Sequence, residues 1–165
     1  MTSAMQELSS AVPHADQIVR VALRSFAALI IGTVIGLQRE LSHKPAGLRT
    51  HLLVALGTAL LVVGAVNANM KSADISRVIQ GLITGIGFLG GGTILKLTQE
   101  HEIRGLTTAA GIWLTAAASV AAGLGEFPAA FIGTGCAWLV LVALGNYERR
   151  VGKPQESEPP ARRAP

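Results

Sequence analysis

Apolar residues gather in five long blocks along this chain, and polar residues are confined to the gaps between them. The blocks fall at 21–38, 49–66, 78–95, 105–125 and 127–145. Crossing a hydrocarbon core about 30 Å thick takes roughly 20 residues of helix. Each block therefore predicts one membrane crossing. The expected fold is an all-α integral membrane protein with five transmembrane helices and glycine-rich packing between them. Residues 1–17 read as a disordered or surface segment, 18–147 as the five-helix transmembrane domain, and 148–165 as a disordered, basic, proline-rich cytoplasmic tail.

Charge in the gaps sets the orientation. Five crossings put the two ends on opposite sides. One side holds four basic residues, Arg20, Arg24, Lys71 and Arg77. The other holds ten: Arg39, Lys44, Arg49, Lys96, Arg104, Arg149, Arg150, Lys153, Arg162 and Arg163. The positive-inside rule places the ten-residue side in the cytoplasm, with the N-terminus out and the C-terminus in.

Small residues decide how such helices meet. Lipid tails are as apolar as leucine, so membrane helices associate by close approach. Gly32/Gly36, Gly81/Gly85 and Gly87/Gly91 are pairs at the four-residue spacing that permits it. The third block carries Gly85, Gly87, Gly90, Gly91 and Gly92. Three successive glycines form helix poorly, so these positions read either as a helix break of the kind transporters use or as tight packing. A faint repeat at an offset of 58 residues aligns Gly32 with Gly90, Gly47 with Gly105, Leu48 with Leu106 and Thr50 with Thr108. It predicts two helical hairpins in the same orientation, followed by a fifth helix.

Composition narrows the function. Only 15% of the 165 residues are charged, the mean hydropathy is +0.46 and the net charge is +4, with no basic face or stripe. Nucleic acid is not an expected partner. Cys136 is the only cysteine and lies inside the fifth block, where it reads as a small packing residue. His43, His51 and His101 are not at zinc-ligand spacing on one helix face. No HExxH or CxxC motif and no Ser/His/Asp arrangement appears, and the chain is not expected to be an enzyme.

The ionisable groups nearest the membrane cluster in two loops on the basic side. Arg39, Glu40, Arg49 and Arg104 are expected to converge there as an ion-pair cluster. Thr50, Thr107 and Thr108 sit at the helix starts that follow. Asp74 and Arg77 open the third block on the other side, where Asp74 suits a helix cap. No carboxylate lies near the middle of a block. A Mg²⁺ site ordinarily needs one or two carboxylates, so a midplane cation path would depend on backbone carbonyls, threonines such as Thr84, Thr93 and Thr115, and water.

Several of these runs together resemble the MgtC/SapB family. They are Gly36-Leu37-Gln38-Arg39-Glu40, Lys44-Pro45-Ala46-Gly47-Leu48-Arg49-Thr50-His51, Asp74-Ile75-Ser76-Arg77, Gly85-Ile86-Gly87-Phe88-Leu89-Gly90 and Arg104-Gly105-Leu106-Thr107-Thr108. The resemblance covers about residues 20–145. It implies a multi-pass protein of the bacterial inner membrane, tied to growth at low Mg²⁺ and, in pathogens, to virulence. It brings in Mg²⁺ as the associated ion but assigns neither a cofactor nor metal ligands. Family members are often named as Mg²⁺ transport proteins, and one is thought to inhibit ATP synthase. Many carry a soluble C-terminal domain, which the 20 residues after the last block are too few to form. Gln38 stands where the family usually has Glu.

Two functional expectations follow. The first is a regulator of another membrane complex, acting in Mg²⁺ homeostasis among membrane lipid and a partner complex or further copies of itself. The alternative is a divalent-cation transporter or channel running between Asp74 and Glu40.

Overall fold

A computed structural model describes residues 15–97 and 102–151. Five helices form the body: α1 (Ala15–Leu41), α2 (Leu48–Asn67), α3 (Ser72–Gly92), α4 (Leu106–Leu124) and α5 (Phe127–Val151). The loop after α3 departs from the all-helical expectation. It forms a short antiparallel ribbon of β1 (Leu95–Leu97) and β2 (Glu102–Arg104), with Leu95 opposite Arg104. The residues expected to be disordered at the two ends lie mostly outside the described residues, although α1 already starts at Ala15 and α5 continues to Val151.

Among the described residues, four helices are long and apolar enough to cross a membrane: α1, α2, α4 and α5 through Gly145. At 21 residues α3 has the length, but Asp74, Arg77, Gln80 and its glycines dilute its apolar character. The surface is that of a protein solvated by lipid. Phe26, Leu53, Phe88, Ile132 and Leu139 are exposed, Phe88 by 83%. The interior is built mainly from alanine, glycine and small β-branched residues. This inversion is expected where burial of large apolar side chains gives no advantage over lipid and backbone approach gives the contact energy.

The closest approach joins α1 to α2. A Cβ at Gly32 would lie 2.8 Å from the His51 carbonyl oxygen, and one at Gly36 would lie 2.9 Å from the Leu48 Cα. Neither position accepts any side chain without separating the helices. Ala28 of α1 packs with Ala55 and Ala59 of α2 along the same seam. α4 then lies beside α2, where Gly111 faces His51 and Gly123 faces Ala59 and Val62. Residue numbers rise together along this contact, so α2 and α4 run parallel. Ala118 and Ala122 of α4 join Ala27, Ile31 and Ile35 of α1 and Ala130 of α5.

The 58-residue repeat is visible in this packing. Gly32 meets His51, and its counterpart Gly90 meets Ala109, the counterpart of His51, with a Cβ at Gly90 lying 3.5 Å from the Ala109 Cβ. Both α2 and α4 start immediately after the aligned glycines 47 and 105. Gly105 has φ +97° and presses against the Thr93 carbonyl, a left-handed position that suits glycine. At the other end of α4, Gly125 takes φ +93° and ends the helix. Arg24 Nη1 donates to the Gly123 carbonyl there at 2.8 Å, placing a cation on the negative end of the helix.

Two glycine expectations need correction. α3 does not break at Gly85–Gly92: it is continuous to Gly92 and ends at Thr93, whose N–H and hydroxyl both bond the Gly90 carbonyl. Nor do Gly81, Gly85, Gly87, Gly91 and Gly92 pack within the chain, since a Cβ at each would meet nothing within 4 Å. Among the described residues, only Gly90 of the run has a packing neighbour, Ala109.

These contacts separate two kinds of glycine. Gly32→Ala is expected to lower unfolding stability in detergent by about 1–3 kcal/mol through overpacking. Gly85→Ala is expected to leave stability unchanged or raise it by up to about 1 kcal/mol through helix propensity. Equal losses in both variants would contradict this packing.

Candidate functional site

The polar interior lies where α1 ends and α2 and α4 begin. Arg39 is in the last turn of α1, on the face that also carries Gly32, Ile35 and Gly36, and that stripe takes it inside. It is only 3% exposed. Its Nη2 donates to the Thr108 hydroxyl in the first turn of α4, while its buried Nε has no hydrogen-bond partner. Among the described residues no carboxylate lies within ion-pair distance of it.

Next to this pair lies His51, fully buried on α2 and within electrostatic reach of Arg39. Its Nδ1 is 2.8 Å from the Thr115 hydroxyl, which is also 2.9 Å from the Gly111 carbonyl. That hydroxyl has one proton. If it goes to Gly111, the imidazole must donate from Nδ1, and Nε2 is left a bare acceptor. Nε2 makes no hydrogen bond, and neither does Ser119 Oγ one turn beyond Thr115. Arg39, His51 and Ser119 thus place unpartnered polar atoms along one buried seam. Groups of this kind cost free energy and mark functional positions inside a membrane protein.

The expected ion-pair cluster does not form among the described residues. Glu40 turns away from Arg39, and its Oε2 accepts the Leu48 N–H at 2.9 Å. In that position it caps α2, whose own N-cap, Gly47, has no side chain to do so. Arg49 and Thr50 are exposed on the first turn of α2. Arg104 ends β2 with its side chain exposed, and Thr107 is exposed beside the buried Thr108. Asp74 and Arg77 lie at the opposite end of the bundle, 3.6 Å apart and largely solvated, where such a pair contributes little. Asp74 is not the cap of α3: that residue is Lys71, and Asp74 adds only a favourable charge in the first turn.

Of the expected residues, Arg39 and Thr108 therefore form the core of the site, and Glu40 supports its edge. His51 and Ser119 were not anticipated, and Thr115 was expected only as part of a cation path. The signal for His51 was its register: it continues the small-residue stripe of Ala55 and Ala59 toward the start of α2.

A family model described as the MgtC family matches residues 26–150, most of the chain. The chain belongs to the MgtC family. Protein SrpB of Synechococcus elongatus is 39% identical over 140 residues, covering 78% of this chain and 75% of that protein. Protein MgtC of Salmonella typhimurium is 38% identical over 112 residues, covering 68% of this chain and 47% of its own length. An uncharacterised Haemophilus influenzae protein is 42% identical over 106 residues, covering 59% and 44%. The chain thus spans three-quarters of SrpB and about half of the other two. No solved structure gives a significant match. Family membership and the lipid-facing surface together make this a membrane protein.

Thr108→Val keeps shape but removes the acceptor of a buried guanidinium. It is expected to cost about 1–3 kcal/mol of unfolding stability. Thr107→Val, at the exposed neighbour, is expected to stay within about 0.5 kcal/mol. Thermal unfolding of the purified protein in detergent compares the two.

Proposed function

We propose that this MgtC-family protein serves Mg²⁺-related adaptation in the bacterial inner membrane by contacting and regulating another membrane complex, without itself conducting Mg²⁺. In this reading all five helices cross, with the N-terminus out and the C-terminus in. Membership of the family fits a Mg²⁺-related role.

One observation carries the choice of regulator over carrier. The polar seam inside the bundle is centred on Arg39, with no carboxylate among the described residues within ion-pair distance of it, so it repels a divalent cation instead of replacing its hydration shell. Two further features support the reading. Among the described residues no group of three or more His, Cys, Asp or Glu is arranged to hold a metal. The groove between α3 and α4 is lined only by apolar side chains, among them Ile79, Ile83, Ile86, Trp113 and Val120. The partner would meet α3, whose Gly81 and Gly85 are open and whose exposed Gln80 and Thr84 lie beside them. A facing helix can approach closely at such a surface and hydrogen-bond to it. ATP synthase is the partner that the family resemblance suggests.

Proteoliposomes containing only the purified protein are expected to show no Mg²⁺ or Mn²⁺ flux above protein-free controls. A photo-cross-linker at Gly85 is expected to give a discrete product in native membranes, and one at Leu53, on α2, to give none. Flux that is lost in Asp74→Asn would establish a carrier and overturn this proposal.

A further inference from the structure

We infer that the end of the bundle where α1 stops and α2 and α4 start is a binding site for a phosphate-type oxyanion, with Arg39 as its charged anchor. The inference does not depend on the regulatory reading above.

The starting point is a charge without a counter-charge. Arg39 is only 3% exposed, and among the described residues Thr108 is the one acceptor its guanidinium reaches. The buried Nε–H points at no acceptor. Glu40, the adjacent carboxylate, is committed to the Leu48 N–H. The negative end of α1 lies under Arg39 and offsets part of its charge, but that half-charge supplies no acceptor for Nε.

The surroundings add positive potential. α4 begins here with Gly105 as its N-cap, so the amides of its first turn receive no side-chain cap, and α2 begins beside it after Gly47. Each helix start carries about half a positive charge. His43, Lys44 and Arg49 are exposed around the same end. The opposing groups among the described residues are the Glu40 carboxylate and the C-terminal ends of α1 and α3, the last with its Thr93 carbonyl against Gly105. The unpartnered Arg39 Nε–H is what favours an anion here.

Its chemistry follows from the guanidinium. A planar fork with unpartnered N–H groups matches two oxygens of one oxyanion, and helix-start amides suit the remaining oxygens. The site lies at the ends of membrane-length helices, at the depth of lipid headgroups. The oxyanion can therefore come from the phosphodiester of an anionic lipid or from free phosphate.

The test uses the full chain in nanodiscs of phosphatidylcholine, with two separate additions. One arm titrates inorganic phosphate against chloride at equal ionic strength; the other replaces part of the lipid with phosphatidylglycerol. A ligand that binds only the folded protein raises its melting midpoint with concentration. We expect a rise in at least one arm, lost in Arg39→Gln and retained in Arg77→Gln, at the opposite end of the bundle. A rise with phosphate alone identifies a free anion, and a rise with phosphatidylglycerol alone identifies a lipid headgroup. No rise in either arm, or an undiminished rise in Arg39→Gln, overturns the inference. Where Arg39→Gln does not fold, the Arg39 Nε–H resonance of the wild-type protein decides: it must shift on addition of the anion, and an unmoved resonance overturns the inference equally.

Discussion

The backbone contact between α1 and α2 at Gly32 and Gly36 is the constraint on which the rest of the bundle depends. It removes side-chain volume from α1 at the two closest points and brings the end of α1 against the start of α2. Arg39 follows Gly36 by one turn, and His51 is the residue whose carbonyl Gly32 touches. The spacing that lets the helices meet therefore also sets the two basic side chains together. α4 completes the arrangement by supplying Thr108 to one and Thr115 to the other.

The second hairpin uses the same plan with a different result. α3 meets α4 through Gly90 and Ala109 as α1 meets α2 through Gly32 and His51. In the first copy the contact residue has an imidazole; in the second it has a methyl group. α3 stops at Gly92, and a β-ribbon takes the place of the last turns that carry Arg39 in α1. The duplication thus supplies two scaffolds, of which one holds the polar seam and the other leaves an open glycine face.

Much of the fold was legible in the sequence because apolar block length is a direct measure of membrane span. The five helices, four of them long and apolar enough to cross, the Gly32/Gly36 contact and the parallel hairpins could be read from spacing. The site was less legible. Arg39, Glu40 and Thr108 stood out as charged or polar residues near helix ends, but sequence proximity of opposite charges suggested ion pairs that burial and rotation on the helix do not allow. Glu40 follows Arg39 directly, so the two point about 100° apart and find different partners. The glycines of α3 were misread for a related reason: a four-residue glycine spacing shows that a helix can be approached, and says nothing of whether this chain supplies the approaching helix.

The distance in sequence between the two halves of the polar seam has a consequence for biogenesis. Arg39 waits 69 residues for Thr108, and His51 waits 64 for Thr115. At a synthesis rate of about 5–20 residues per second, the acceptors on α4 are made roughly 3–14 s after the two basic residues of the α1–α2 hairpin. During that interval a guanidinium and an imidazole on its inner face lack their α4 partners, and water or headgroups at the interface must satisfy them. The nascent hairpin must stay near the interface, or within the insertion machinery, until α4 arrives. The two basic side chains have their full set of protein partners only once the fourth helix is in place.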